Sequence, residues 1–331
     1  MYPELFEIPF IRWPVPTYGV MIVIGFLCAV FVIRRLSRDI AADPQYVYDG
    51  AMYALIAGIV GSRLFYVLHY FEQFRGRLLS VFAVWHGGLE LLGGALLAIA
   101  VILFYLLYHK LPVRRYLDIV AIGLLLALGF GRIGCFLKGD CFGRPTKLPW
   151  GLRFPYGSDV YHSQAYANLK RNRPEPQLKL PPEYFELYEG GEYLKPFERL
   201  TEEQKKQVTE GPYRCLPVHP TQLYSSANAL LCCFILYFFW RRSKKAEKSR
   251  NGRVLAKPGS TFALMLMLYG VARFLIEFVR DDNPFEYAWW AIYKGGTISQ
   301  NLSIYLVVLG VVLMVVFGKT KPDSIALKGA K

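Results

Sequence analysis

Three charged side chains lie where a charge is disfavoured. Arg273, Glu277 and Arg280 fall inside the apolar run MLYGVARFLIEFVRDD, and an ionisable group in a membrane segment is destabilising unless paired or wet, so it marks a candidate functional site. Spaced 273, 277 and 280, they share one helical face about 10 Å long. A bland arrangement is available, in which Arg273 and Glu277 neutralise each other at i,i+4 and Arg280 snorkels to the surface. Two arginines against one carboxylate nevertheless leave a net positive charge. A guanidinium fork holds phosphate through two parallel hydrogen bonds, so a lipid phosphate is the natural partner at this depth. Arg63 in GIVGSRLFYVLHYF and Arg132 in ALGFGRIGCFLKGDCFG belong to the same class. Glycines cluster nearby, at Gly87-Gly88, Gly93-Gly94, Gly131/Gly134 and Gly139/Gly143. Such residues allow either close helix packing or close approach of backbone to a head group.

The elements that must position these groups are membrane helices. The chain of 331 residues is 54% apolar and only 19% charged, which excludes disorder and collagen-like structure. Seven stretches, near 17–33, 49–70, 89–108, 117–137, 220–240, 260–280 and 301–317, are long and apolar enough to cross a bilayer, which takes roughly 20 helical residues. The fold class is therefore an all-α integral membrane protein with seven transmembrane helices. Residues 1–16 hold Glu4, Glu7 and prolines instead of a basic stretch followed by an apolar run, so no cleavable signal peptide is read there.

Orientation follows from lysine and arginine. Segments 34–45, 109–116, 241–257 and 318–331 carry 18 of them, whereas 1–15, 71–87 and 281–299 carry 4. The positive-inside rule then places the N-terminus outside and the C-terminus in the cytoplasm. The net charge of +14 reads as this topological bias, and no nucleic-acid partner is expected. Seven spans put the hydrophilic stretch 139–218, with 12 basic and 11 acidic residues, ten prolines and seven tyrosines, on the outer side as a loop-rich insert between helices four and five. The division expected is membrane domain 1–138, insert 139–218 and membrane domain 219–331. Of six cysteines, Cys141 and Cys215 bracket that insert. Outside the cytoplasm they are either two free thiols or a bridge closing a loop of about 75 residues, worth on the order of 4 kcal/mol of loop entropy.

Taken in order, these residues resemble the prolipoprotein diacylglyceryl transferase family. The resemblance rests on Tyr18-Gly19, GSRLFYVLHY at 61–70, W-x-GGL at 85–89 with GG at 93–94, GRIGCFLKGDCFG at 131–143 over the family signature G-R-x-G-N-x-x-N-G-E-x-x-G, HPTQLY at 219–224, YGVARFLIEFVR at 269–280 and, more weakly, ISQNLS at 298–303. It implies a multi-pass enzyme of the bacterial cytoplasmic membrane. That enzyme transfers diacylglyceryl from phosphatidylglycerol to the lipobox cysteine thiol in a prolipoprotein signal peptide, forming a thioether and releasing glycerol phosphate. No metal and no organic cofactor is implied. By resemblance Arg132 holds the lipid phosphate, Arg273 and Arg280 assist the head group or leaving group, Tyr18 lines the cavity, and Gln222 and Tyr224 support its rim, with Arg63 and Glu277 among the binding residues.

The departures matter as much. The family carries a histidine before the second Gly-Gly where this chain has Leu92, and Cys135, Lys138 and Asp140 stand for Asn, Asn and Glu of the signature. Leucine cannot accept a proton. Asp140 is the expected base, or orients one; His86, the nearest imidazole to the vacated position, is counted among the substrate-binding residues, and His219 is expected to shape its turn. The alternative is a catalytically weakened relative that binds anionic lipid or signal peptides without transfer.

Overall fold

The computed structural model describes residues 4–7, 14–40, 43–75, 78–82, 87, 88, 90–188, 191–248, 257–285 and 290–320. Seven helices are long and apolar enough to span a membrane. They are α1 (Thr17–Ser37), α2 (Gln45–His69), α3 (Leu91–Tyr108), α4 (Val113–Lys138), α5 (Thr221–Lys248), α6 (Ser260–Glu277) and α7 (Ile298–Lys319). Large apolar side chains such as Phe31, Leu68, Phe104 and Phe234 are exposed along them, as expected where the surrounding solvent is lipid. Of these seven helices α4 is the most buried and α1 the least. The helix that carries the glycine-rich signature is thus the one most surrounded by protein.

Most of the helices run a few residues beyond the apolar stretches, and two ends differ in ways with a clear local cause. α5 continues to Lys248, because Arg, Lys, Ala and Glu after Trp240 are strong helix formers and keep the backbone helical beyond the apolar stretch. α6 stops at Glu277, where Phe278, Val279 and Arg280 close tight turns onto Leu275, Ile276 and Glu277. Arg280 therefore stands past the helix, in turns that still keep it 4.0 Å from the Glu277 carboxylate.

The chain divides into two compact units. The first comprises residues 1–28, 124–238 and 263–313, the second 29–123, 239–262 and 314–331. Within the second, α2 and α3 pack so closely that a Cβ on Gly61 would meet the Gly93 carbonyl at 2.6 Å, and one on Gly94 the Gly58 carbonyl at 2.7 Å and Ser62 Oγ at 2.2 Å. Gly93-Gly94 is a helix-packing contact, which settles one of the two uses open to that pair. The buried Asp118 accepts from the Gly259 and Phe262 amides at 2.8 and 3.0 Å, satisfying two donors at the start of α6 that have no partner within their own helix.

The first unit contains the 139–218 segment. It is short on regular structure, as its prolines dictate. Two short helices, Asp159–Ala165 and Glu202–Thr209, are capped by Ser158 and by a Thr201/Gln204 capping box, and Phe185–Tyr188 pairs antiparallel with Gly191–Leu194. Phe142, Phe154, Val160, Tyr161, Leu178 and Val218 form its core. Its anchorage is ionic as well as apolar. Arg173 pairs with Asp281 at 2.7 Å, and Arg171, itself buried, pairs with Asp281 and donates to the Arg280 carbonyl while its guanidinium covers the Phe285 ring.

Candidate functional site

Four elements of the first unit converge around the signature: the start of α1, the end of α4 with the turn after it, the start of α5, and the end of α6 with residues 278–285. The signature turn is built by backbone conformation. α4 ends as Gly139 takes φ +95° and its amide bonds the Cys135 carbonyl, and Cys141 follows at φ +57°. Gly139 adopts that region freely, as at many helix C-termini. Cys141 does so against its Cβ, a strain that persists only where neighbours enforce it. The neighbours are Thr221, whose hydroxyl donates to the Cys141 carbonyl at 2.8 Å, and Gln222, whose amide donates to the Asp140 carbonyl at 2.7 Å. Both are essentially fully buried. HPTQLY thus opens α5 by bracing the signature turn from the far side of the insert. Gly143 completes the junction, since a Cβ there would meet His219 at 2.6 Å and the Val279 carbonyl at 2.8 Å.

The turn folds Cys141 back onto α4. Its sulfur accepts from Arg132 Nη1 at 3.6 Å, and the Cys135 thiol hydrogen-bonds it. The Cys141 thiol lies below the ordinary thiol range, chiefly because of that hydrogen bond; burial opposes the shift, and the charges of Arg280 and Arg132 favour it. Asp140 turns one oxygen to Lys138 Nζ at 2.9 Å, while its other oxygen is buried with no hydrogen-bond partner among the described residues. The sulfurs of Cys135 and Cys141 and a carboxylate oxygen of Asp140 all lie within 4.8 Å of one another.

Arg132 differs from the other site arginines. Among the described residues no carboxylate lies within ion-pair distance of it, and beside it a Cβ on Gly131 would meet nothing within 4 Å. Arg273 instead contacts Glu277 at 2.6 Å and donates to Ser299 Oγ at 2.8 Å. The expected excess of positive charge along 273–280 is not found. Arg280 forms a two-pronged contact with Asp282 and lies 4.0 Å from Glu277, which also accepts from Asn283 at 2.6 Å. A count confined to the helix misses Asp282, which the turn after α6 brings back. Burial opposes the Arg280 charge, but its hydrogen bonds to Asp282 and the charges of Asp282, Cys141 and Glu277 outweigh that and raise its pKa further.

Tyr18 packs against Gly134, whose added Cβ would sit 3.3 Å from the Tyr18 Cα. Tyr224 accepts from Trp150 of the insert at 2.7 Å and touches His219 at 3.4 Å. Arg63, in the second unit, is occupied: it donates to the carbonyls of Val81, Ser80, Gly87 and Gly88 at 2.6–3.1 Å and lies over Tyr66 and Phe74. Arg63 clamps the loop after α2, since carbonyls 17 to 25 residues away take up its donors. Leu92 is 64% exposed at the start of α3, and His86 lies outside the described residues. No bridge joins Cys141 and Cys215. Cys141 faces Arg132, and the buried Cys215 thiol contacts Gln164 in the insert core. Thr221, the partner of Gln222 in bracing the turn, was missed in sequence because a threonine starting a helix reads as an ordinary cap.

Fold and cluster together define a multi-pass membrane protein that gathers arginines, a carboxylate and two thiols where its helices end. The sequence model of prolipoprotein diacylglyceryl transferases matches residues 3–316. The chain belongs to this family of transferases. It is 29% identical over 328 residues to the phosphatidylglycerol–prolipoprotein diacylglyceryl transferase of Rhodospirillum rubrum, covering 98% of this chain and 94% of that one. To the protein of the same name from Clostridium tetani it is 27% identical, over 94% and 96%, and to that from Buchnera aphidicola 29%, over 95% and 96%.

Proposed function

We propose that the protein transfers diacylglyceryl from phosphatidylglycerol to the thiol of a lipobox cysteine, on the outer side of the bacterial cytoplasmic membrane. The observation that carries this reading is Arg132, a half-buried guanidinium with no carboxylate partner among the described residues, beside open space at Gly131. An uncompensated fork of that kind is suited to a phosphodiester, and charge builds on that phosphate as its C–O bond breaks. Arg273 and Arg280 are held by Glu277 and Asp282 at fixed positions, preorganised to stabilise the leaving glycerol phosphate. Tyr18 and Gly134 wall the approach, and Gln222 and Thr221 keep the signature turn in register. Asp140 serves the deprotonation of the incoming thiol, a role the exposed Leu92 cannot fill. The lysine and arginine count supports the outward placement of this helix-end face.

Leu92 also favours a second reading, a relative that binds lipid or signal peptide without transfer. Incubating the purified full-length protein with phosphatidylglycerol and a lipobox peptide distinguishes the two. Transfer adds the diacylglyceryl mass to the peptide and releases glycerol phosphate. Asp140→Asn abolishes the reaction and Leu92→His is tolerated. An inactive wild type rescued by Leu92→His would establish the second reading instead.

A further inference from the structure

The family signature here has acquired a set of donors that a phosphate site does not need. Cys135 sits on the last turn of α4, and Asp140 and Cys141 follow the Gly139 turn, giving the spacing Cys-x4-Asp-Cys. Two thiol sulfurs and one carboxylate oxygen lie mutually within 4.8 Å, without a disulfide. A zinc ion with Zn–S near 2.3 Å and Zn–O near 2.0–2.2 Å separates tetrahedral ligands by about 3.5–3.8 Å, so only a small inward movement is required. The Asp140 carboxylate is half used: Lys138 takes Oδ2 at 2.9 Å, and Oδ1 is buried with no partner among the described residues. A buried carboxylate oxygen left so is destabilising unless a ligand completes it. Cys141 is held in its left-handed conformation by Thr221 and Gln222 through the carbonyls on either side of its α-carbon, and that conformation carries its sulfur to Cys135.

We infer that Cys135, Asp140 and Cys141 bind a zinc ion and leave its fourth position open for the thiol of the lipobox cysteine. The second half of this statement rests on the transferase reading above. Two thiolates select a soft divalent ion over magnesium or calcium, and three protein ligands with one open position are the arrangement of catalytic zinc. Two thiolates, a carboxylate and a divalent cation sum to one negative charge, which Lys138 Nζ, 2.9 Å from Asp140 Oδ2, offsets as a partner of the ligand, so that the charge of Arg132 is kept for the phosphate. A thiol that coordinates zinc gives up its proton to water. The bound sulfur then uses an electron pair to form the C–S bond at the glyceryl carbon, the C–O bond to phosphate breaks with its pair on oxygen, and glycerol phosphate leaves as an anion. Asp140 therefore acts as a ligand instead of taking the proton itself, which is how a chain with Leu92 in place of histidine still forms its nucleophile.

The full-length protein, purified in detergent, is loaded with cobalt as a spectroscopic substitute for zinc and freed of excess metal. The expected result is one ion per chain, with the intense visible bands of a tetrahedral site and a thiolate-to-metal absorption in the near ultraviolet. Cys135→Ser and Cys141→Ser each remove about half of that absorption, and Asp140→His retains it, since imidazole is also a ligand. Circular dichroism verifies that each variant is folded. A lipobox peptide then raises the thiolate absorption by about half, as a third sulfur joins two, while the same peptide with serine for cysteine does not. Thiolate-free cobalt binding, or none, in a protein that transfers diacylglyceryl overturns the metal site and leaves the transferase reading intact. Binding through both cysteines without any transfer supports the metal site and overturns the transferase reading. Binding with no response to the peptide thiol overturns the open fourth position.

Discussion

Arg132 and Arg63 are both arginines buried or half-buried in apolar helices, yet their surroundings predict opposite consequences of losing them. Arg132 makes one described hydrogen bond, to a thiol at 3.6 Å, and truncating it leaves no carboxylate unpaired. Its folding contribution is therefore small. If its fork holds the lipid phosphate through two charge-assisted hydrogen bonds of about 1.5–3 kcal/mol each, Arg132→Ala forfeits roughly 3–6 kcal/mol of transition-state binding, or on the order of 10²–10⁴ in kcat/KM. Arg132→Lys recovers little, because an ammonium cannot present two parallel donors. Arg63→Ala instead leaves four backbone carbonyls without their donor, at about 1–3 kcal/mol for each that stays dry, and the protein loses stability before any kinetic defect can be read. The assay pairs peptide lipidation kinetics with thermal unfolding in detergent for the three variants. The reasoning fails if Arg132→Lys transfers within about tenfold of wild type, which is 1.36 kcal/mol, or if Arg132→Ala lowers the unfolding temperature as far as Arg63→Ala does.

Gly94→Ala places a Cβ 2.2 Å from Ser62 Oγ and 2.7 Å from the Gly58 carbonyl, so the α2–α3 pair must separate; a destabilisation of about 1–3 kcal/mol is expected in detergent unfolding, and an unchanged midpoint would show that the helices have room to shift. Asp118→Ala orphans the Gly259 and Phe262 amides and is expected to lower stability by about 1–3 kcal/mol, with Asp118→Asn losing less because its amide oxygen still accepts; equal losses would refute the capping role. Gln222→Leu frees the Asp140 carbonyl that it holds at 2.7 Å and is expected to lower kcat by at least about tenfold, with Gln222→Asn recovering none of it because the shorter side chain falls short of that carbonyl; wild-type kinetics in Gln222→Leu would remove the brace. Non-reducing peptide mapping should find Cys141 and Cys215 unbridged, Cys215 alkylating only after unfolding because it is 2% exposed. A linked peptide pair would contradict the arrangement described.

The sequence by itself determined the seven helices and the family, and both for additive reasons. Transfer of a helix into lipid sums over about 20 consecutive residues, so each span was legible without knowing its neighbours, and the motifs from Tyr18 to Arg280 are local strings. Asp140, Arg132 and Gln222 were likewise readable as members of those strings. What each does was not, because that depends on contacts between distant positions. Tertiary structure alone decided that Arg63 is consumed by carbonyls up to 25 residues away and that Gly93-Gly94 joins helices. It also decided that Arg280 steps off α6 to meet Asp282, and that Gln222 grips a carbonyl 82 residues earlier in the chain. The convergence of Cys135, Asp140 and Cys141 belongs here too. Their spacing as a string suggests three residues spread around a helix end. The left-handed backbone at Gly139 and Cys141, enforced by the start of α5, brings their donor atoms together.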